Sequence, residues 1–156
     1  LPARLDTYRT LRDPADDLMW DAITNDGKIE KTKWSYNTAL MARSAAELFR
    51  FTKKARYRKE AIAFAKAGRA KWVREDGAMT DESQFAHLLL ESFWFVKRAT
   101  RWGDAWGDAP KILAALRSRR SPEGRYPGRW DGTTANDAVI TQASAARAYL
   151  FAASRL

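Results

Sequence analysis

Asp81-Glu82-Ser83-Gln84-Phe85-Ala86-His87-Leu88-Leu89-Leu90-Glu91-Ser92-Phe93-Trp94-Phe95-Val96-Lys97-Arg98-Ala99-Thr100-Arg101 is the stretch on which the fold turns. Thr80 or Asp81 supplies a cap, and a helix runs on to about Arg101. Phe85, Leu88, Leu89, Leu90, Phe93, Trp94, Phe95 and Val96 distribute apolar side chains nearly all round its axis. Such a helix, with an apolar run too short to span a bilayer, must be enclosed by other helices.

The flanking sequence supplies those neighbours. Upstream, Ser35 caps a helix to about Phe51 with Leu40, Ala45, Leu48 and Phe49 on its apolar side. A second helix runs from about Ala55 to Arg74 through Ala61, Ile62, Ala65, Trp72 and Val73, and Gly77 follows its end. Downstream, Pro110 opens a helix carrying Ile112, Leu113, Ala115 and Leu116. Asn136 or Asp137 caps a last, alanine-rich helix to Arg155. Pro2 to Leu11 reads as the tail of a further helix, with Leu5, Tyr8 and Leu11 on one side.

The segment from Leu18 to Trp34 breaks this pattern. Asn25-Asp26-Gly27 is a tight-turn signal between two short arms, which gives a short β-hairpin or an irregular excursion near residues 18–34. The fold class is therefore all-α, built of antiparallel helical hairpins in a single domain over residues 1–156. Short connections alternate with elaborate ones. The elaborate ones, Leu18–Trp34, Glu75–Asp81 and Ser121–Asn136, precede alternate helices, so they gather on one face. A shared loop face on a rigid scaffold is the expected place for a ligand site.

Composition narrows the chemistry. The 156 residues are 46% hydrophobic and include seven Trp, enough for a packed core, and there is no Cys. Disulfides and thiolate chemistry are thus excluded. The net charge of +9 raises a polyanion partner as a possibility, against the plainer reading of solvated helix faces. Leu1 to Arg12 carries Arg4, Asp6, Arg9 and Arg12 and lacks the apolar core of a signal peptide. No membrane span is expected.

The sequence offers three kinds of candidate site. Paired carboxylates that do glycosidic chemistry stand about 5 to 9 Å apart. Asp16-Asp17, Asp81-Glu82 and Asp131 with Asp137 are the available pairs, each equally explained by capping or solvation. His87 is the single histidine. It lies three residues after Gln84 and reaches either a ligand hydroxyl or a hydrogen-bonded core position. One His without Cys makes no zinc site, so no metal and no cofactor are expected. Finally, Trp20, Trp34, Trp102, Trp106, Tyr126 and Trp130 fall in loops or at helix ends. An indole suits the C–H face of a sugar ring, though the same residues can pin loops onto the helices. Asp21, Asp104, Asp108, Asp131 and Asp137 near them would repel phosphate, so nucleic acid is unlikely as a partner.

Trp20-Asp21, the Asn25-Asp26-Gly27 turn, and Trp34-Ser35-Tyr36-Asn37 leading to Glu47-Leu48-Phe49-Arg50 resemble glycoside hydrolase family 76. Asp76-Gly77 followed by Asp81, Gln84 and Phe85 is similar to a later motif of that family. Trp130 through Gln142-Ala143-Ser144-Ala145 is similar to its closing helix. Thr38-Ala39 and Ala86-His87 depart from the family pattern, which has Gln-Gly and Lys-Gly there.

The resemblance implies an (α/α)6 toroid of which this chain is about half, the C-terminal part. It implies an α-1,6-mannanase-like activity, with oligo- or polysaccharide as partner and a secreted or periplasmic location. It also implies that Asp21, Trp34, Tyr36, Asn37, Gln84, His87 and Trp130 contact substrate. The family's adjacent catalytic Asp pair lies upstream of the Trp-Tyr-Asn segment and has no counterpart here, so no catalytic residue is assigned. The missing half, or self-association, would complete the ring. The rival readings are a non-catalytic glycan- or protein-binding helical scaffold and a basic nucleic-acid-binding helical domain.

Overall fold

The computed structural model of the chain describes residues 10–134 and 138–155. The helix tail expected at Pro2 to Leu11, apart from its last two residues, and the Asn136 or Asp137 cap lie outside them. Among the described residues, two short strands, β1 Ala22–Ile23 and β2 Ile29–Glu30, precede six helices. These are α1 Ser35–Thr52, α2 Ala55–Trp72, α3 Ser83–Thr100, α4 Asp104–Gly107, α5 Ala109–Ser118 and α6 Val139–Ala153. None is long and apolar enough to cross a membrane.

The excursion before α1 is a β-hairpin. Ala22 pairs with Glu30 and Ile23 with Ile29 in antiparallel register. Gly27 takes a φ of 81° in the turn, and its N–H donates to the Thr24 carbonyl. The left-handed conformation costs least at glycine, which is why Asn-Asp-Gly marks the turn in the sequence.

The enclosed helix predicted over residues 81–101 is α3. It packs on α1, α2 and α6, while α2 also backs α1, and α5 packs on α6. Thus α1, α3 and α6 form one row, with α2 and α5 behind it. Small residues set the spacing. Ala39, Ala42, Ala45 and Ala46 make the buried side of α1. At Gly68 of α2, a Cβ would stand 2.8 Å from Leu89 Cδ1 of α3, so glycine lets those two helices touch. Phe64, Leu89, Leu90, Phe93, Val96, Ile112 and Leu116 fill the core between the rows. Two tryptophans from outside the long helices join them, one in the short α4 and one in the loop before α6. Trp106 and Trp130 are fully buried, so these two pin their segments to the helices.

Two turns share one construction. Arg12 bridges Met19, and Val73 bridges Met79. In the first, the Asp13 N–H donates to Leu18 O and the Trp20 N–H to Leu11 O; in the second, Arg74 donates to Ala78 O and Thr80 to Trp72 O. Both turns bury their methionine and send the chain to the start of a helix in the first row.

Hydrogen bonds then tie the three excursions to one another at one end of that row. The Met19 N–H donates to Thr38 Oγ1 of α1 at 3.1 Å. The Ser35 N–H donates to Asp81 Oδ2 at 2.7 Å. The Ser83 N–H and Oγ donate to Gly128 O and Pro127 O, both at 2.8 Å. The Tyr126 N–H donates to Gln142 Oε1 at 2.9 Å, joining the third excursion to α6. These loops form a rim over the N-termini of α1, α3 and α6.

Two expected caps are corrected here. Ser35 is the first residue of α1 rather than its cap, and its Oγ has no hydrogen-bond partner. The cap comes instead from Asp81, which is far along the chain. Asp81 does not cap its own helix, since α3 begins at Ser83 after Glu82. A side-chain oxygen on an orphan helix N–H is worth about 1 kcal/mol wherever in the sequence it originates.

Candidate functional site

The rim presents a polar and aromatic surface centred on the start of α1. Asp21, just before β1, accepts from Tyr36 Oη at 3.0 Å and from Asn37 Nδ2 at 2.9 Å. Burial, and then the Asp21 carboxylate, pushes the Tyr36 phenol above its ordinary range, so it stays a neutral donor at physiological pH. Across from Tyr36, Phe85 of α3 stands 4.7 Å away between ring centroids, and Trp34 stands 5.4 Å from the same ring. The three rings are half-buried and form one wall.

Gln84, in the first turn of α3, donates through Nε2 to Glu82 Oε2 at 2.7 Å. Glu82, Ser83, Gln84, Arg129, Thr134 and Thr141 help to line a cavity of about 210 Å³ between the N-termini of α3 and α6. Its floor is held by Arg129, which donates to the Thr80 carbonyl, and by the bridge between Glu82 and Arg129. A carboxylate, an amide, hydroxyls and a guanidinium around a small cavity beside an aromatic wall can orient a neutral polyhydroxylated ring. The rings offer stacking and the polar groups take hydroxyls.

Of the seven expected contact residues, the structure gathers Asp21, Trp34, Tyr36, Asn37 and Gln84 at this rim. The other two are placed differently. Trp130 is 1% exposed and its Nε1 has no partner, so its ring packs on protein and offers no open face. His87 is buried on α3 with Nδ1 3.2 Å from Ser83 O. Burial lowers its pKa, and the nearby Glu91 and Arg147 act in opposite senses on it. Glu91 in turn is 2% exposed and takes both Nε and Nη2 of Arg147 from α6. His87 thus belongs to a packed polar seam between α3 and α6.

Among the described residues, each candidate carboxylate is engaged. Asp16 accepts from Lys33 Nζ at 2.8 Å, and Asp17 accepts from Arg12. Asp81 caps α1, and Glu82 holds Gln84. Asp131 accepts from Thr133; burial alone would raise its pKa, but these hydrogen bonds and the nearby Arg129 hold it low. Asp137 lies outside the described residues. Among the described residues, no cluster of three His, Asp or Glu is placed to hold a metal.

Sequence reasoning missed Arg129 and Thr141 as rim residues, took Glu82 only as half of a carboxylate pair, and did not count Phe85 among the contact residues although it stood in the quoted motif. Phe85 stands in the first turn of a helix whose apolar residues otherwise face the core. Its position beside Gln84 was the available signal.

A family profile described as glycosyl hydrolase family 76 matches residues 7–104. No curated protein matches the chain. Among solved structures, a family 76 α-mannanase from Bacteroides thetaiotaomicron superposes with a TM-score of 0.83 at 27% identity, over 95% of this chain and 43% of that one. The α-1,6-mannanase of Salegentibacter sp. gives a TM-score of 0.78 at 21% identity, over 94% of this chain and 48% of that one. An inactive variant of the latter enzyme, with two Asp replaced, holds α-1,6-mannotetraose. A Listeria innocua protein gives 0.78 at 20% identity, over 99% of this chain and 48% of that one. The chain therefore spans somewhat under half the length of the structures it matches, and its helices are part of their toroid fold.

Proposed function

From the premise that this chain belongs to glycosyl hydrolase family 76, we propose that it supplies the groove wall and loop rim of an α-1,6-mannan-degrading hydrolase. The glycoside-hydrolase character follows from the family. Asp21, Trp34, Tyr36, Asn37 and Gln84 touch the sugar directly. His87 and Trp130 hold the helices and loop behind them. The catalytic acids belong to the other half of the ring.

The observation that carries the reading is the Asp21–Tyr36–Asn37 network beside the Trp34–Phe85–Tyr36 wall. It fixes a donor, an amide and stacking faces on rigid helix starts, as selective recognition of a neutral sugar requires. Exposed apolar faces support the half-ring role. Leu40, Leu48 and Phe51 lie on α1, and Val139, Ile140 and Leu150 on α6, at the two ends of the first row. Only one residue of α6, Arg147, is charged. A helix apolar all round is normally covered all round. The complementary half of the toroid would cover it, from the same polypeptide or from a second copy.

Titrating the purified chain with α-1,6-mannotetraose by NMR tests this. Shifts should cluster at residues 21, 34–37 and 84, with no hydrolysis of α-1,6-mannan. Robust turnover by this chain alone would sink the assignment, as would shifts confined to the opposite end of the helices.

A further inference from the structure

The two ends of the helices differ in charge. The rim segments 11–34, 73–82 and 119–134, the last including Arg119 on Asp76, carry twelve Asp and Glu against nine Lys and Arg. At the opposite pole, residues 43–60 and 97–101 carry ten Lys and Arg against two Glu. These segments meet there: Arg58 of α2 donates to the Thr100 carbonyl, and Arg98 of α3 pairs with Glu47 of α1. Arg155 from the end of α6 stacks on Trp94 at 4.7 Å. Among the described ion pairs, those at this pole use Glu47 alone, with Arg50 and Arg98.

Helix dipoles do not account for so many cations. The C-termini of α1, α3 and α6 converge here with roughly half a negative charge each, about −1.5 in all. Two of the cations also occupy costly positions. Lys53 and Arg101 follow α1 and α3 with φ of 57° and 65°, where glycine is the easier residue. Both residues are exposed, as are Lys54 between α1 and α2, Arg56 in the first turn of α2 and Lys97 in the last turn of α3.

Arginines at the pole already occupy aromatic faces. Guanidinium groups lie over Phe95 (Arg43, 4.0 Å), Phe51 (Arg50, 4.2 Å), Tyr57 (Arg56, 4.6 Å) and Phe151 (Arg155, 3.9 Å). Bases of a single strand would need those faces. A sheet of phosphate headgroups needs only charge.

We propose that this pole docks on an anionic phospholipid surface and turns the acidic, sugar-facing rim away from it. The proposal concerns a surface apart from the groove, so it stands or falls separately from the mannanase reading. Lys53, Lys54, Arg56, Lys97 and Arg101 contact the headgroups.

Co-sedimentation of the chain with vesicles tests it. Vesicles of equimolar phosphatidylcholine and phosphatidylglycerol should bind it, and more weakly at high salt, while pure phosphatidylcholine should not. Each basic residue near such a surface contributes about fivefold in affinity, so Lys53→Gln/Lys54→Gln/Arg56→Gln should weaken binding about a hundredfold. Lys97→Gln/Arg101→Gln, read beside circular dichroism, gives a second and independent loss. Asp21→Asn should leave vesicle binding unchanged. Equal binding to neutral vesicles, no binding to either, or unchanged binding by both folded variants overturns the proposal. So does displacement from the vesicles by duplex DNA at an equal concentration of phosphate, which would assign the pole to a strand polyanion.

Discussion

The two bridged turns at the rim begin alike and end differently. In each, the residue two before the buried methionine has a positive φ: Asp17 at 62° and Gly77 at 87°. In each, an aspartate follows the methionine by two: Asp21 after Met19, Asp81 after Met79. Asp81 is buried and spends its carboxylate on backbone N–H groups, those of Ser35 and Glu82. Asp21 is half-buried and accepts from the side chains of Tyr36 and Asn37. The difference lies in what comes next. After Asp81 the helix starts within two residues, whereas after Asp21 the chain inserts a hairpin before α1. The insertion frees the first aspartate to organise side chains at the surface, while the second one closes a helix end. One turn design thus serves recognition at one place and architecture at the other.

Four substitutions sharpen that contrast. Gly77→Ala should be the most damaging. A Cβ there meets the Lys111 carbonyl at 2.7 Å, and the backbone must hold its φ of 87°. A loss of about 2–4 kcal/mol in denaturant unfolding is expected from overpacking and left-handed strain together. Asp81→Ala comes next. It strips a cap from a buried helix start, and the midpoint should fall by about 2 kcal/mol of stability while sugar shifts at residue 21 persist. Asp21→Asn should change stability by less than about 1 kcal/mol, because its partners are half-exposed, yet it should weaken mannooligosaccharide binding about tenfold. Calorimetric titration would read that, and equal losses of stability for the two aspartates would break the comparison. Asp17→Gly should be nearly silent, within about 0.5 kcal/mol, since relief of its backbone offsets the loss of the Arg12 pair.

Much of this was legible in the sequence. The apolar run from Phe85 to Val96 demanded an enclosed helix, and the alternation of short and long connections placed the excursions at one end. Asn25-Asp26-Gly27 announced the hairpin because glycine at the turn is a local requirement. The motifs shared with the family pointed to the toroid. What escaped depends on contacts between distant segments. Ser35 looked like its own cap because the sequence holds no sign that Asp81 folds back onto α1. Trp106 and Trp130 looked available because loop aromatics bear no periodicity to reveal which way they point. His87 sat among apolar neighbours that suited either a ligand-facing or an interior position. The interior position followed once α6 brought Arg147 to Glu91.

Gly68 sets how closely the back of a hairpin lies on the helix in front. A methyl group there would have to push aside the tip of Leu89, which is itself wholly enclosed. The two rows would part by whatever share of the methyl's width that side chain could not yield.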